Sequence, residues 1–225
     1  MLTETEYAEF ARSQLGTADA VQPFPEQTLA WLDGRVPGSM IRFLASVGLG
    51  PWRGGFFQTL DPLRYRGLIE AALRGDPDFD PDRTVAFAMS GFGELMGWNR
   101  DHRVVHFGLF PNSFSCPEFF SPSSFDIDLA ALTPFATLFD NICDLVDSKG
   151  KPMFARLKKA HGPLPHGHVF APRLHPALGG EEEVENFRPV PAVEAIALMH
   201  QAEPFVLIDT STPAMRRVRT LGPQG

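Results

Sequence analysis

Residues 83–110 read RTVAFAMSGFGELMGWNRDHRVVHFGLF, and this stretch decides the fold class. It contains three short runs rich in aromatic and β-branched residues, separated by two groups of turn-forming residues. This arrangement is typical of an antiparallel meander. The runs are Thr84–Met89, Glu94–Trp98 and Arg103–Phe110, and the turns are Ser90–Gly93 and Asn99–His102. We therefore predict an α+β fold with a central antiparallel sheet packed with helices.

The first turn also resembles a nucleotide-binding loop, because Gly91, Gly93 and Gly97 follow a strand. A dinucleotide site needs a helix that begins at the glycines, so that its amide groups and dipole face the pyrophosphate. Here only the short run Glu94–Trp98 follows, and it leads into another turn. We therefore predict a hairpin in which Gly91 and Gly93 adopt positive φ, with no cofactor.

The composition favours a well-packed core. The chain has 225 residues and 44% hydrophobic content, enough for one large domain or two closely packed lobes. Its 20 Phe outnumber 3 Trp and 2 Tyr, and Phe carries no polar group for gripping a ligand. In the meander we expect these side chains to be buried: Phe87, Phe92, Trp98, Val105 and Phe107.

The net charge of −7 bears on possible partners. Direct binding to nucleic acid is disfavoured, since phosphate neutralisation needs a basic face. A basic protein partner is favoured, because opposite fields speed association.

Cysteine usage and the N-terminus indicate the compartment. Cys116 and Cys143 are the only cysteines and have no C-x-x-C spacing, so we expect a reducing compartment without a disulfide framework. The first ten residues, MLTETEYAEF, lack the pattern of a signal peptide. No apolar run approaches the roughly 20 residues of a membrane span. The sequence predicts a soluble cytoplasmic protein that does not contact a membrane.

Helical patterns surround the meander and suggest two lobes. We expect a first lobe over residues 1–125, a mainly helical second lobe over 126–209, and a flexible tail over 210–225. Residues 110–125 should form an ordered loop across the core. Helices are predicted over Thr3–Leu15, Met40–Val47, Asp61–Arg74, a segment from Asp128 or Thr133 to Val146, Pro152–Ala160 and Pro189–Gln201, with a last strand at Phe205–Ile208.

Two segments resemble metal sites. Residues 75–82, GDPDFDPD, place aspartates at alternate positions, but they lack the glycine and the glutamate of a calcium loop, so a solvated turn is the better interpretation. The second segment, residues 161–175, contains four histidines. Prolines fix an extended path there and the four histidines include no helical i, i+4 pair, which argues against a metal site. They are His161, His166, His168 and His175.

Catalytic motifs are missing from the sequence. It contains no G-x-S-x-G elbow, no kinase set and no metalloprotease helix, so no enzyme activity is predicted. One alternative is a metal- or ligand-binding module, or a hydrolase, that uses the His161–His175 loop. Another is a DNA-binding autoregulator, which the net charge disfavours.

Two sets of motifs carry a family resemblance. The first comprises Pro37–Gly48, Gly55–Phe57, Asp61-Pro62, Tyr65, Val85–Phe87, Gly91–Glu94 and Trp98. The second comprises Met153-Phe154, Leu157, His161–Leu164, Phe170, Pro172, Leu174, Ala177–Gly180 and Val184–Asn186. Together they resemble the bacterial family that joins a GAD-like domain to the C-terminal domain of type VI secretion DNase-immunity proteins. The resemblance covers most of residues 30–202. One departure is Pro165–His168, where histidines replace the usual acidic residue.

The resemblance implies a stoichiometric binder, not an enzyme. Such a protein neutralises a cognate type VI nuclease toxin and protects the producing cell and its kin. It would cover the DNA-binding or catalytic face of the toxin, or prevent the active fold from assembling. Candidate interface residues, chosen by charge and expected exposure, are Asp76, Asp78, Asp80, Asp82, Asp140, Asp144, Asp147, Glu181, Glu182, Glu183 and Glu185.

Overall fold

The computed structural model describes residues 3–109, 112–138, 143–174, 179–212 and 214–223. Within these ranges the helices are α1 (Glu4–Leu15), α2 (Glu26–Leu32), α3 (Gly38–Val47), α4 (Pro62–Leu73), α5 (Pro117–Phe120), α6 (Ile127–Ala136), α7 (Phe154–His161) and α8 (Ala192–Ala202). The strands are β1 (Gly50–Trp52), β2 (Phe57–Thr59), β3 (Thr84–Ser90), β4 (Leu95–Asn99), β5 (Arg103–Gly108), β6 (Ser113–Ser115), β7 (His168–Pro172), β8 (Phe187–Pro191), β9 (Val206–Asp209) and β10 (Arg216–Thr220).

The described strands form one large sheet and one small hairpin. The large sheet has the order β1-β2-β3-β4-β5-β6-β9-β10, and β7 pairs with β8. Neighbouring strands run antiparallel except β6 and β9, which are parallel. The meander β3-β4-β5 occupies the centre of the sheet. The predicted α+β class and central, mostly antiparallel sheet are confirmed.

Alternation along the meander sends side chains to both faces of the sheet. Phe87 and Trp98 pack on the face covered by α1, α2, α3 and α6. Val105 and Phe107 pack on the opposite face, against α4 and α8. These four residues and Phe92 are each no more than 3% exposed, which confirms the predicted packing.

Local sequence signals account for two helix starts. At α1 the Glu6 N–H donates to Thr3 Oγ1 at 3.3 Å, and the Thr3 N–H donates to Glu6 Oε2 at 2.7 Å, which forms a capping box. At α4 the Leu63 N–H donates to Asp61 Oδ1 at 3.2 Å, and Pro62 occupies the first turn. Both predicted starts are confirmed.

Other helix boundaries differ from the prediction. The Asp126 carboxylate accepts from the N–H groups of Asp128 and Leu129, so α6 begins at Ile127. It ends at Ala136 and does not continue to Val146, a residue that is 49% exposed. The predicted helical residues 139 and 142 lie outside the described ranges. The last helix begins at residue 192, because the preceding segment pairs with β7 as a strand. Helix α2 was not predicted.

The connector and the C-terminus also contain strands. Within residues 110–125, predicted as an ordered loop, β6 pairs with β5 and β9. Residues 216–220, predicted to belong to a flexible tail, form β10 instead. The reason is that Arg219 pairs with Asp76 and Asp78, while Leu221 is buried and its N–H donates to Phe205 O at 2.8 Å. The lobe boundary near residue 126 stays a prediction.

The glycine turn of the meander uses its amides within the protein. Gly91 N–H donates to Phe56 O, Gly93 N–H donates to Ser90 O, and the amides of residues 92 and 94 donate to Ser90 Oγ. Four amides are therefore engaged and do not face a phosphate. Gly93 has the expected positive φ of 84°, but Gly91 does not. Gly91 is required by close packing instead, since a Cβ there would lie 2.6 Å from the Phe154 ring.

The glycine turn and the nearby residues Gly54 and Gln58 make hydrogen bonds to the second half of the chain. Phe170 N–H donates to Gly91 O at 2.8 Å, and Leu164 N–H donates to Gly54 O at 3.0 Å. The buried Gln58 side chain donates to His168 O and accepts from Gly167 N–H, each at 2.7 Å.

Among the described residues, none of the helices is long and apolar enough to cross a membrane.

Candidate functional site

Four of the predicted acidic residues meet at one open cleft of about 960 Å³. One wall follows the loop before α7, and the other follows the segment before β8. The lining residues are Asp147, Lys149, Lys151, Arg156, Leu174, Gly179, Gly180, Glu181, Glu183, Glu185 and Asn186. We call this feature the charged cleft. Ser148 Oγ donates to the Glu183 carboxylate and links the two walls.

Asn186 fixes the acidic wall, which comprises Glu181, Glu183 and Glu185. Its side-chain amide donates to Leu174 O at 3.0 Å and to Glu181 O at 2.9 Å. Its side-chain oxygen accepts from the Leu174 N–H at 3.1 Å. The Asn186 side chain therefore ties the acidic wall at Glu181 to Leu174, while Glu181 and Glu185 remain exposed at the surface.

Gly180 permits this arrangement. A Cβ at Gly180 would lie 1.8 Å from Leu174 O and 3.0 Å from the Asn186 amide nitrogen. Any side chain would therefore push the acidic wall away from Leu174. This contact gives a physical reason for the glycine at the position that carries part of the family resemblance.

Asp147 shapes the opposite wall from a buried position. Its Oδ1 accepts from the N–H groups of Lys149 and Lys151, each at 2.9 Å, and its Oδ2 accepts from Arg156 at 2.5 Å. The bond from the Lys151 N–H is the largest cause that lowers the pKa of Asp147 to about 2, and the other two bonds add to it against the effect of desolvation. Asp147 was chosen for its expected exposure, but its side chain is only 1% exposed. Its carboxylate shapes the loop through these bonds, and the expected exposure of Asp147 is therefore corrected.

In the Asp76–Asp82 turn, the Asp76 carboxylate bonds within the fold and is not an exposed acidic group. The Asp76 side chain is fully buried and accepts from Arg219, from the N–H groups of Asp78 and Phe79, and from the Gly222 N–H. Desolvation acts to raise the pKa of Asp76, but the bonds from Arg219 and the backbone outweigh it and lower the pKa. The expected exposure of Asp76 is therefore corrected.

Four other described acidic candidates, Asp80, Asp82, Asp144 and Glu182, do not line the charged cleft. Asp80 caps the single turn Pro81–Arg83, and the exposed Asp82 pairs with Arg66. Asp144 accepts from the N–H groups of Met153 and Phe154 at the start of α7, and it borders two other pockets. Glu182 is exposed beside the cleft. Residue 140, Asp140, lies outside the described ranges.

The described histidines of the 161–175 loop contact protein groups. His166 Nε2 lies 2.9 Å from Thr59 O, His168 Nδ1 lies 3.3 Å from His166 O, and the His161 ring packs against Phe170. Within the described ranges, no group of three or more His, Cys, Asp or Glu side chains could hold a metal ion. His175 lies outside those ranges.

The sequence reasoning missed the basic and amide residues of the charged cleft. Lys149, Lys151 and Arg156 face it from one wall, and Asn186 supports the other. A local signal for the first wall exists in the segment Asp147–Lys151, because aspartate often bonds to backbone amides two residues on and forms a turn. Contacts between the walls have no such local signal.

Comparison with known proteins identifies the family. A model of the GAD-like domain matches residues 6–108, and a model of the T6SS immunity protein Tdi1, C-terminal, matches residues 130–203. The crystal structure of Atu4351 from Agrobacterium tumefaciens is 34% identical, with a TM-score of 0.89, and the match covers 95% of this chain and 97% of that one. The chain belongs to this GAD-like and Tdi1 family. A comparison with curated proteins gives no match.

The family match bears on the charged cleft. All its lining residues fall within the Tdi1-matched region 130–203, while the meander falls within the GAD-like region. Membership of the Tdi1 family supports a type VI secretion immunity protein, whose partner is a toxin protein. The immunity family also suggests a role without enzymatic activity.

Proposed function

We propose that this protein neutralises a cognate type VI nuclease toxin, a DNase, by forming a stoichiometric complex in the cytoplasm of the producing cell. The observation that carries the proposal is the rigid acidic wall of the charged cleft within the Tdi1-matched region. The protein acts by occupying the toxin and not by modifying it.

A nuclease surface complements this wall. An enzyme that cleaves DNA must present basic residues to the phosphate backbone. Glu181 and Glu185 offer exposed carboxylates on a wall whose backbone Asn186 ties to Leu174, so little backbone entropy is lost on binding. The net charge of −7 would also draw a basic toxin toward the protein.

Covering the DNA-binding face then accounts for protection. Charges at the rim of an interface mainly raise the association rate and select the partner. A protein that reaches the basic face of the toxin before DNA does will exclude the substrate. Inhibition should therefore follow the molar ratio of the two proteins and saturate at a fixed stoichiometry.

A cleavage assay with titrated protein tests the proposal. Purified protein should abolish DNA cleavage by its cognate nuclease, with a break in the titration at a fixed molar ratio. The variant E181K/E185K should inhibit at least about tenfold less potently. The control E9K/D33K makes the same change in net charge at exposed acids outside the cleft and should inhibit normally. Unchanged cleavage at excess wild-type protein would overturn the proposal.

A further inference from the structure

The segment Lys149-Gly150-Lys151 forms a tight turn on the basic wall of the charged cleft. Asp147 O accepts from the Gly150 N–H at 2.8 Å, and the Asp147 N–H donates to Lys151 O at 2.9 Å. With the two bonds to Asp147 Oδ1, four hydrogen bonds fix five residues. We call this segment the lysine turn. Its backbone is preorganised, so its side chains leave the protein from fixed positions.

The two lysines are not neutralised within the described structure. Both are exposed, and in the described ranges neither ammonium makes an ion pair within 4.0 Å. The acidic wall lies across the same cleft, yet no ion pair joins it to the lysine turn among these residues. Arg156 differs, because its guanidinium pairs with Asp147. The cleft thus presents two opposite charges that do not cancel each other.

We propose that the lysine turn binds an acidic side chain of the toxin while the acidic wall binds a basic one. This inference rests on the proposed function and deepens it, because it specifies the chemistry of the toxin segment that enters the charged cleft. A partner of one charge sign alone would face repulsion from one of the walls. A segment that carries both signs in the matching order satisfies both, so the cleft selects its cognate toxin and rejects others.

Leu174 gives the same segment an apolar contact. Leu174 lines the cleft and is 46% exposed, although Asn186 bonds to its backbone N–H and C=O groups. A large exposed apolar residue in a charged cleft favours a partner residue that covers it. The matching toxin segment therefore combines an acidic, an apolar and a basic side chain.

Charge reversal on the lysine turn tests the inference. The variant K149E/K151E should bind the cognate nuclease at least about tenfold more weakly in calorimetry, with wild-type thermal unfolding. The control K159E/R188E reverses two exposed cations outside the cleft, makes the same change in net charge, and should change the dissociation constant less than about twofold. Equal weakening by both variants, or none by the first, would overturn the inference and leave the proposed function intact.

A zero-length carbodiimide cross-link supplies the chemical identity of the contact. This reagent joins an amine directly to a carboxylate. In the wild-type complex, mass spectrometry should find Lys149 or Lys151 joined to an aspartate or glutamate of the nuclease. Cross-links confined to other lysines would contradict the inference. Failure of the wild-type protein to bind the nuclease at all would instead overturn the proposed function on which it rests.

Discussion

The Arg219 guanidinium donates to the Asp76 carboxylate at 2.8 Å, across 143 residues of sequence. The Asp76 side chain is fully buried and that of Arg219 is 19% exposed, so the pair is largely shielded from water. It attaches β10 to the turn that follows α4. Loss of the Asp76 carboxylate would leave the Arg219 guanidinium with only Asp78 as its carboxylate partner among the described residues.

Removing this carboxylate should destabilise the fold. We expect Asp76→Ala to lower the free energy of unfolding by on the order of 3 kcal/mol, because it breaks the shielded pair with Arg219 and leaves the N–H groups of Asp78, Phe79 and Gly222 without their acceptor. Urea denaturation followed by fluorescence measures the change. Asp82→Ala removes an exposed carboxylate from the pair with Arg66 and should cost no more than about 0.5 kcal/mol. Equal effects of the two variants would contradict the assignment.

Asp147 should give the protein an acid-sensitive component of stability. Its pKa is lowered from 3.8 to about 2, so its contribution is fully present above the unfolded-state value and is lost as the pH falls through the folded-state value. Asp147→Asn should be less stable at neutral pH and should lose less stability between pH of about 5 and about 2. Midpoints of urea unfolding across this range measure the difference, with Asp33→Asn as the control for loss of one exposed carboxylate. Parallel curves for wild type and Asp147→Asn would refute this prediction.

Gly180 should resist substitution. Gly180→Ala places a methyl group against Leu174 O, and we expect a loss of about 1–3 kcal/mol from overpacking. Because the acidic wall moves with this residue, inhibition of the toxin should weaken as well. Gly67→Ala is the matched control, since a Cβ there meets no atom within 4 Å in the exposed middle of α4 and alanine is the better helix former. It should raise stability by about 0.5–1 kcal/mol.

Gly91 and Phe154 should show a compensating pair of substitutions. Gly91→Ala brings a Cβ within 2.6 Å of the Phe154 ring and should cost about 1–3 kcal/mol. Phe154→Leu opens space at the same contact, so the double variant should lose less than the sum of the two single variants. Chemical denaturation of all four proteins in the cycle measures the coupling. Strict additivity would show that the contact does not constrain residue 91.

Local signals predicted the elements that depend on neighbouring residues. Thr3 and Asp61 cap the helices that begin at the next residue, and each of the three meander runs forms a strand itself. The residues that specify these elements are therefore close to them in sequence. Helix α2 was not predicted because it is seven residues long and has no side-chain cap. Strand β10 was not predicted because its sequence, RRVRT, shows no apolar alternation and because it pairs with β9, a separate segment of the chain.

The site was predictable in composition but not in geometry. Charge and expected exposure selected the glutamates of 181–185 as interface candidates, and that role stays a prediction. In the structure Glu181, Glu183 and Glu185 line the charged cleft, and Glu182 is exposed beside it. Charge alone could not show that Asp76 and Asp147 are buried. Their exposure depends on Arg219 and Arg156, and pairing between distant side chains leaves no trace in local periodicity.

The parallel pairing of β6 with β9 limits how this protein can diversify. Strand β9 follows the Tdi1-matched region, yet it completes a sheet whose centre belongs to the GAD-like region. Exchange of the whole C-terminal half, which carries the charged cleft, would also bring in a foreign β9, and that strand must still fit between β6 and β10. We therefore expect new toxin specificities to arise by point substitution around the cleft more readily than by exchange of whole C-terminal halves.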